Sequence, residues 1–249
     1  MNNAEAENTW YKGWFDSQYY HILYHKRNDE EAAQFISRLH QFLHPAAGSK
    51  VLDLACGRGR HSLVLHSLGL DVTGIDLSPS SIATASESET DKLAFYVHDM
   101  RRPFRIRYYD IVFNLFTSFG YFDSARDNRQ VLESVHKGLK PGGILVIDFL
   151  NAVWVKGYLQ QQSEYTETAS GINFFIQKKT DGKFIYKTIH FTDEGREYNF
   201  REQVQLLGLN EFKKLTEGLF EITQVFGNYE LDAFDENASP RLILIARKR

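Results

Sequence analysis

The stretch VLDLACGRGRHS, residues 51 to 62, contains the turn that decides the fold. Its opening apolar run, VLDL, predicts a short buried strand of a parallel sheet. Gly57 and Gly59 follow where such a strand passes into a helix, and glycine there lets the backbone approach a ligand closely. The next residues predict a helix from about Arg60 to Gly69. The stretch therefore predicts a nucleotide-type site at the N-terminus of that helix.

The spacing around the glycines narrows the class of nucleotide. A dinucleotide fingerprint places a third small residue, glycine or alanine, where this chain has Ser62, which weakens a pyrophosphate interpretation. The chain also lacks the G-x-x-x-x-G-K-[ST] pattern, which excludes a P-loop. Asp53 lies in the strand, where a buried carboxylate needs an ammonium group or backbone N–H donors as its partner. A nucleoside that carries an amino acid would supply the ammonium.

Five blocks follow one another in the order and spacing of a known family. They are VLDLACGRGRHS at 51 to 62, VTGIDLSPSSI at 72 to 82, FYVHDM at 95 to 100, YDIVFNLFTSFGYF at 109 to 122 and LKPGGILVIDFLN at 139 to 151. Together they resemble the core of a class I S-adenosylmethionine-dependent methyltransferase over residues 51 to 151. The resemblance implies an α/β fold with a seven-stranded Rossmann-like methyltransferase sheet and helices on both faces.

The resemblance also implies which residues hold S-adenosylmethionine. Asp76 ends the second strand about 20 residues past Gly59, where a nucleotide fold binds ribose hydroxyls through a carboxylate. A helix cap is the alternative for Asp76, but Ser78 before Pro79 is the better cap. By resemblance, Asp99 accepts the adenine amino group. The full expected set is Asp53, Ala55, Gly57, Gly59, Arg60, His61, Asp76, Leu77, Asp99, Met100 and Asn114.

The fourth block departs from methyltransferases that act on nucleic-acid bases. Those enzymes carry N-P-P-Y or D-P-P-Y where this chain reads NLFT from Asn114. The block is similar instead to small-molecule enzymes of the glycine and amino-sugar N-methyltransferase group. We expect catalysis to depend on hydroxyl groups and aromatic rings here rather than on a dedicated base, although the rings could simply belong to the core. The expected catalytic residues are Asn114, Thr117, Ser118, Phe119 and Tyr121.

Composition bounds the remaining function classes. A chain of 249 residues with 43% hydrophobic residues fits one enlarged α/β domain. The net charge of -3 argues against nucleic acid as a partner. The polar start MNNAEAEN and the lack of a long apolar run argue against a signal peptide or a membrane partner. The single Cys56 forms no internal disulfide, so we expect a cytoplasmic location. No metal site is expected.

The N-terminal segment, residues 1 to 45, is expected to be helical and to precede a cofactor-binding core at 46 to 151. Aromatic residues crowd positions 10 to 24, which predicts either a helix packed on the core or a lid over the cofactor and the acceptor pocket. Residues 29 to 43 predict an amphipathic helix with a structural role.

The pattern changes after Asn151, where we expect an inserted antiparallel β subdomain at 152 to 208. Three strands are predicted between residues 172 and 207, separated by hairpin turns at Asp181-Gly182 and Glu194-Gly195. Residues 209 to 249 predict a helix and a hairpin that completes the core sheet. The expected contacts to the methyl acceptor are Tyr20, Tyr198 and Arg201, because polar tips among apolar neighbours fix orientation.

These expectations combine into a small-molecule methyltransferase that uses S-adenosylmethionine and transfers methyl to a nitrogen or oxygen nucleophile by in-line displacement. Three alternatives stay open at this point: a methyltransferase acting on RNA or protein, a cofactor-binding module without catalysis, and a nicotinamide-dependent oxidoreductase. The absence of a basic face argues against RNA. Ser62 and the later blocks argue against a nicotinamide cofactor.

Overall fold

A computed structural model describes residues 10–24 and 29–249 of the chain. The rest of the expected N-terminal lid, residues 1–9 and 25–28, lies outside the described residues. Within the described ranges, no helix is both long enough and apolar enough to cross a membrane.

The main sheet has seven strands, as the resemblance implied. Numbered in chain order, they are β1 (Lys50–Leu54), β2 (Asp71–Asp76), β3 (Leu93–Val97), β4 (Tyr109–Asn114), β5 (Leu139–Leu150), β10 (Phe220–Phe226) and β11 (Arg241–Lys248). Their spatial order is β3-β2-β1-β4-β5-β11-β10. The strands from β3 to β5 pair in parallel, while β11 pairs antiparallel with both β5 and β10. The order reverses at β1, so the carboxyl ends of β1 and β4 border a crevice where open α/β sheets bind ligands.

Eight helices surround the strands in the described part of the chain. They are α1 (Trp10–Phe15), α2 (Gln18–Leu23), α3 (Asp29–Leu43), α4 (Arg60–Ser67), α5 (Pro79–Ser86), α6 (Ala125–Gly138), α7 (Ala152–Gln161) and α8 (Leu209–Thr216). Side chains from α3, α4 and α5 fill one apolar layer against the main sheet, and those from α6 and α8 fill the other. Successive strand residues alternate between the layers, as Val51 and Leu52 do. Each large side chain buried there contributes about 1.5–3 kcal/mol.

A second sheet of four antiparallel strands follows the core. Its strands are β6 (Glu164–Ala169), β7 (Ile172–Thr180), β8 (Phe184–Asp193) and β9 (Arg196–Gln205), in that spatial order. The prediction of three strands was therefore short by one, and it also missed helix α7. The sequence of β6, EYTETA, has few apolar residues because this edge strand is mostly exposed. The turns at Asp181-Gly182 and Glu194-Gly195 join the strands as predicted.

The aromatic N-terminal segment packs on this second sheet rather than on the main one. Trp14, Tyr19 and Leu23 from α1 and α2 are buried against an apolar face that includes Phe174 and Phe191. The ring of Tyr19 lies 4.7 Å from the ring of Phe191, centroid to centroid. The helices and the second sheet thus share one small core of their own.

The turn after β1 depends on one glycine and one buried carboxylate. Gly59 has a φ of +80°, and a Cβ at this position would lie 2.7 Å from the ring of Phe95, so only glycine fits. Asp53 is 1% exposed and accepts a 2.6 Å hydrogen bond from the hydroxyl of Ser62 in α4. Burial raises the pKa of Asp53 to about 6, although the Ser62 hydrogen bond opposes this shift.

A second buried carboxylate holds the loop after β4 in a strained conformation. Phe116 and Thr117 have φ values of +58° and +60°, which side chains other than glycine rarely adopt. Asp148, on β5 and 1% exposed, accepts hydrogen bonds from the Phe116 amide at 2.9 Å and from Nε of Arg241 at 2.8 Å. Arg241 also donates to the Thr117 hydroxyl at 2.9 Å. This ion pair fixes the loop from two sides, since Asp148 binds its backbone and Arg241 its side chain.

We expect Asp53 to make folding stability depend on pH. Its folded-state pKa of about 6 exceeds the ordinary value of 3.8, so the folded state binds the proton more tightly. The contribution of Asp53 to folding stability should therefore fall as pH rises from about 4 to 6 and then level off. Asp53→Asn should lose this dependence, becoming more stable than the parent by up to about 3 kcal/mol at pH 7. Urea unfolding across pH 4 to 7 measures the effect.

The matched control is Asp91→Asn, which changes an exposed carboxylate of the same charge. Its stability curve should run parallel to that of the parent. A parallel curve for Asp53→Asn as well would contradict the assignment of the raised pKa to Asp53.

Candidate functional site

Two adjoining cavities open at the carboxyl ends of β1, β2 and β4. The smaller has a volume of about 80 Å³ and mostly apolar walls. The larger has a volume of about 570 Å³ and extends from the glycine turn to the second sheet. Both cavities are lined by Phe15, Ala55, Asp76 and Tyr121. They therefore meet along one boundary, which a single extended ligand could cross.

Asp76 lies at this boundary, at the end of β2. Its two carboxylate oxygens accept hydrogen bonds from the amides of Gly57 at 2.9 Å and Ser78 at 2.8 Å. Burial raises the pKa of Asp76, while these backbone hydrogen bonds oppose the shift. The helix cap of α5 is Ser78, whose hydroxyl accepts from the Ser81 amide, as predicted. Because each carboxylate oxygen can accept a second hydrogen bond, Asp76 still has capacity for ligand hydroxyls.

The smaller cavity brings together the residues expected around adenine. Leu77, Asp99 and Met100 all line it. Arg101 pairs with Asp99, donating from Nη2 at 2.6 Å. Partial burial alone would raise the pKa of Asp99. The hydrogen bonds and the positive charge of Arg101 outweigh burial and hold the pKa of Asp99 below its ordinary value. Apolar walls beside an ionised carboxylate suit a flat ring with an exocyclic amino group.

The glycine turn forms the floor of the larger cavity. Gly57, with a φ of +56°, has no neighbouring atom within 4 Å of the place a Cβ would occupy, so its backbone is open to a ligand. Arg60 and His61 line the same cavity, and the Arg60 guanidinium lies 5.3 Å from the ring centroid of Phe116. Gly59 packs against Phe95, and Asp53 bonds Ser62 beneath the turn. Gly59 and Asp53, two of the expected cofactor residues, therefore determine the shape of the turn from its buried side.

The loop after β4 contributes only part of its expected catalytic set to the cavity. Thr117, Ser118 and Tyr121 line the larger cavity. Asn114 is 1% exposed and donates a 3.0 Å hydrogen bond to the carbonyl of Leu54, so it ties β4 to β1. Phe119, which was also expected in this set, lines neither cavity.

Phe119 belongs to the apolar layer of the main sheet. Its ring is 1% exposed and lies 5.6 Å from the ring of Phe212 in α8 and 6.5 Å from that of Phe149 in β5. The aromatic composition of the loop did not distinguish a ring that faces the cavity from one that faces the core.

Of the three residues expected to contact the methyl acceptor, one lines the larger cavity and two do not. Tyr20 lines the larger cavity, but Tyr198 packs on Phe191 with ring centroids 5.0 Å apart. Arg201 points to the opposite side of β9, where its guanidinium lies 4.3 Å from the ring centroid of Tyr186. The structure therefore keeps Tyr20 as a candidate and corrects the placement of Tyr198 and Arg201, whose side chains lie elsewhere.

Helices α1 and α2 close the site from above. Phe15 lies 5.4 Å from the ring of Tyr121, so the two rings bridge the boundary between the cavities. Asp16 accepts hydrogen bonds from the Ser78 hydroxyl at 2.7 Å and from the Ser80 amide at 3.1 Å. These bonds hold the pKa of Asp16 below its ordinary value. The carboxylate of Asp16 thus connects the segment of helices α1 and α2, called the lid from here on, to the start of α5, beside Asp76.

Several lining residues were missing from the expected set. Those of the larger cavity include His21, Tyr24, Cys56, Arg58, Ser81, Leu115, Glu202 and Val204. Glu202 carried a usable signal, because it interrupts the apolar positions of an alternating strand. A charge on the inner face of a strand is costly unless it is paired or binds something.

Comparison with known proteins identifies the family. Residues 45–203 match the methyltransferase domain family. A glycine/sarcosine N-methyltransferase of Aphanothece halophytica is 33% identical over 150 residues, which cover 58% of this chain and 55% of that protein. A dTDP-3-amino-3,4,6-trideoxy-alpha-D-glucopyranose N,N-dimethyltransferase of Streptomyces venezuelae is 30% identical over 132 residues, covering 52% of this chain and 54% of that protein. The chain spans about half the length of these curated relatives.

A solved structure shows the same fold. The S-adenosylmethionine-dependent methyltransferase from Clostridium acetobutylicum ATCC 824 superposes with a TM-score of 0.77 at 16% identity, covering 92% of this chain and 96% of that one. This likeness confirms the predicted seven-stranded fold. Because the family match extends over more than half of its residues, the chain belongs to the methyltransferase domain family, as its motifs indicated.

Proposed function

We propose that this protein methylates an amine nitrogen of a small molecule with S-adenosylmethionine as the methyl donor. The proposal rests on one observation: the two cavities meet at Ala55, Asp76 and Tyr121. The smaller cavity has the lining expected for adenine, and the larger has room for the rest of the donor and for part of a second reactant. A transferase for two substrates needs such a shared boundary.

The residues of the smaller cavity fit the proposed cofactor. Asp76 offers carboxylate lone pairs for ribose hydroxyls, and Leu77 and Met100 offer apolar contact for adenine. The open backbone at Gly57 leaves room for the methionine portion, beside Arg60 and His61. When bound, the cofactor supplies a methyl group on a positively charged sulfonium.

The chain's own contribution is orientation, shielding from water and the placement of dipoles. Loop residues Thr117 and Ser118 line the larger cavity, where they can contact an acceptor. The rings of Phe15 and Tyr121 cover the boundary and exclude water. An ammonium group can lose its proton to solvent before transfer, and the lone pair of the resulting neutral amine then attacks the methyl carbon, so the reaction needs no dedicated base.

The relatives support nitrogen as the acceptor atom. Two of them are named as N-methyltransferases, one for glycine and sarcosine and one for an amino sugar. The acidic net charge of this chain and the enclosure of the cavity by α1 and α2 favour a small acceptor over RNA or a protein.

We expect S-adenosylmethionine to bind and Asp76→Ala to weaken its binding by about 1–3 kcal/mol, because hydrogen bonds to a charged group are lost. Isothermal calorimetry measures the affinity, and melting curves check that the variant folds. Asp91→Ala, at an exposed carboxylate, should bind like the parent. Absence of binding in the parent, or tight binding of NAD in place of the proposed cofactor, would refute the assignment.

We expect release of S-adenosylhomocysteine when the protein is incubated with the cofactor and small amines. A panel of amines, alcohols, phenols, carboxylic acids and thiols identifies the acceptor atom, and RNA and protein substrates test the alternatives. Turnover should occur with amines. Turnover confined to carboxylic acids, phenols, RNA or protein would show that the proposed acceptor class is wrong.

A further inference from the structure

We propose that Glu202 is the residue that selects the acceptor, and that it does so by binding a positively charged nitrogen. This inference rests on the proposed function of the same site and adds the charge state in which the acceptor binds: an ammonium group, which releases its proton to solvent before its nitrogen accepts the methyl group. The relevant chemistry is a carboxylate held among aromatic rings on the wall of the larger cavity.

The position of Glu202 follows from strand alternation in β9. Phe200, Glu202 and Val204 share one face of the strand, since side chains two residues apart point the same way. Phe200 packs on Trp14 of the lid, with ring centroids 4.5 Å apart. Glu202 and Val204 continue that face into the larger cavity. A carboxylate therefore lies where the pattern of the strand calls for an apolar side chain.

Among the described residues, hydrogen-bond donors contact only one oxygen of Glu202. Oε1 accepts hydrogen bonds from Nε1 of Trp14 at 2.7 Å and from the hydroxyl of Tyr24 at 2.6 Å. Over the described ranges, Oε2 accepts no hydrogen bond, and no lysine or arginine nitrogen lies within 4.0 Å of this carboxylate. Lys187 instead donates to the hydroxyl of Tyr24. Two donors thus fix the orientation of Glu202 and leave one oxygen for a ligand.

Aromatic rings share the wall of the larger cavity with Glu202. The aromatic side chains of Phe15, Tyr20, Tyr24 and Tyr121 line the same cavity. Ring faces attract an ammonium group, and a carboxylate gives it a charge-assisted hydrogen bond. An anionic group would meet repulsion from Glu202, and a neutral hydroxyl would gain only a weaker hydrogen bond. The cavity therefore distinguishes an amine from an alcohol or an acid of similar size.

Glu202 is also held at a fixed position relative to the loop after β4. The Gln205 amide donates to the carbonyl of Gly120 at 2.8 Å, and Nδ2 of Asn128 donates to the Gln205 side chain at 2.7 Å. Gln203 donates to Asp123 at 2.6 Å. These bonds fix the end of β9 to the segment that follows Thr117 and Ser118. An ammonium bound at Glu202 would therefore have a defined place beside the cofactor boundary.

The test uses three probes with one carbon skeleton: butylammonium, 1-butanol and butyrate. Each is titrated into the full-length protein saturated with S-adenosylhomocysteine, and the Trp14 indole N–H resonance reports on Glu202, because that group donates to it. Butylammonium should bind saturably and at least tenfold more tightly than 1-butanol. Butyrate should leave the resonance unchanged.

Glu202→Gln is the informative variant, because glutamine keeps one oxygen for Trp14 and Tyr24 and replaces the other oxygen with an uncharged NH2 group. It should weaken butylammonium binding at least tenfold and leave the affinity for S-adenosylhomocysteine unchanged. Glu197→Gln, an exposed position on the same strand, is the matched control and should bind like the parent.

Two results would overturn the inference: butylammonium binding no tighter than 1-butanol, or unchanged butylammonium binding in Glu202→Gln. The first comparison uses only the parent protein, so it does not depend on how the variant folds. Failure of S-adenosylhomocysteine to bind would instead contradict the proposed function, and calorimetry before the titration separates the two failures.

Discussion

The site depends on the buried ion pair between Asp148 and Arg241. Two consecutive left-handed residues, Phe116 and Thr117, cost about 1–3 kcal/mol each. Asp148 and Arg241 offset that cost, because the carboxylate binds the Phe116 amide and the guanidinium binds the Thr117 hydroxyl. A buried carboxylate without its cation would itself be strongly destabilising, so strain and ion pair stabilise each other. The outcome is a loop that presents Thr117 and Ser118 to the acceptor cavity rather than to solvent.

The rest of the molecule is arranged around that loop. The glycine turn and Asp76 form the proposed cofactor side of the boundary, and β9 with helices α1 and α2 forms the proposed acceptor side. Hydrogen bonds connect the lid to both sides, through Asp16 to the start of α5 and through Trp14 to Glu202. The second sheet and the lid also share a separate apolar core. Differences in acceptor can therefore arise in this second unit without altering the cofactor turn, which fits the general separation of site and fold.

The positions of the proposed cofactor residues could be predicted from sequence because these residues follow strands directly. Asp76, Leu77 and Met100 come at or just after strand ends, so the motif order alone brings them to one edge of the sheet. Predicting the residues of the proposed acceptor side requires the register of the strands and the direction in which each side chain points. Phe119 and Tyr121 are two residues apart in one aromatic run, yet only Tyr121 reaches a cavity. Arg201 and Glu202 are adjacent on β9 and point to opposite faces, so choosing between them required the pairing of the strand.

The Asp148–Arg241 pair holds the loop at the boundary of the two cavities. Amide hydrogen exchange at Phe116 and Thr117 tests it most directly, because the Phe116 amide binds the Asp148 carboxylate and the Thr117 amide binds the Asp148 carbonyl. Both amides should exchange slowly in the parent and in Arg247→Met, an exposed change on the same strand, and much faster in Arg241→Met. Exchange as fast as that of an open loop in the parent, or unchanged protection in Arg241→Met, would contradict the claim.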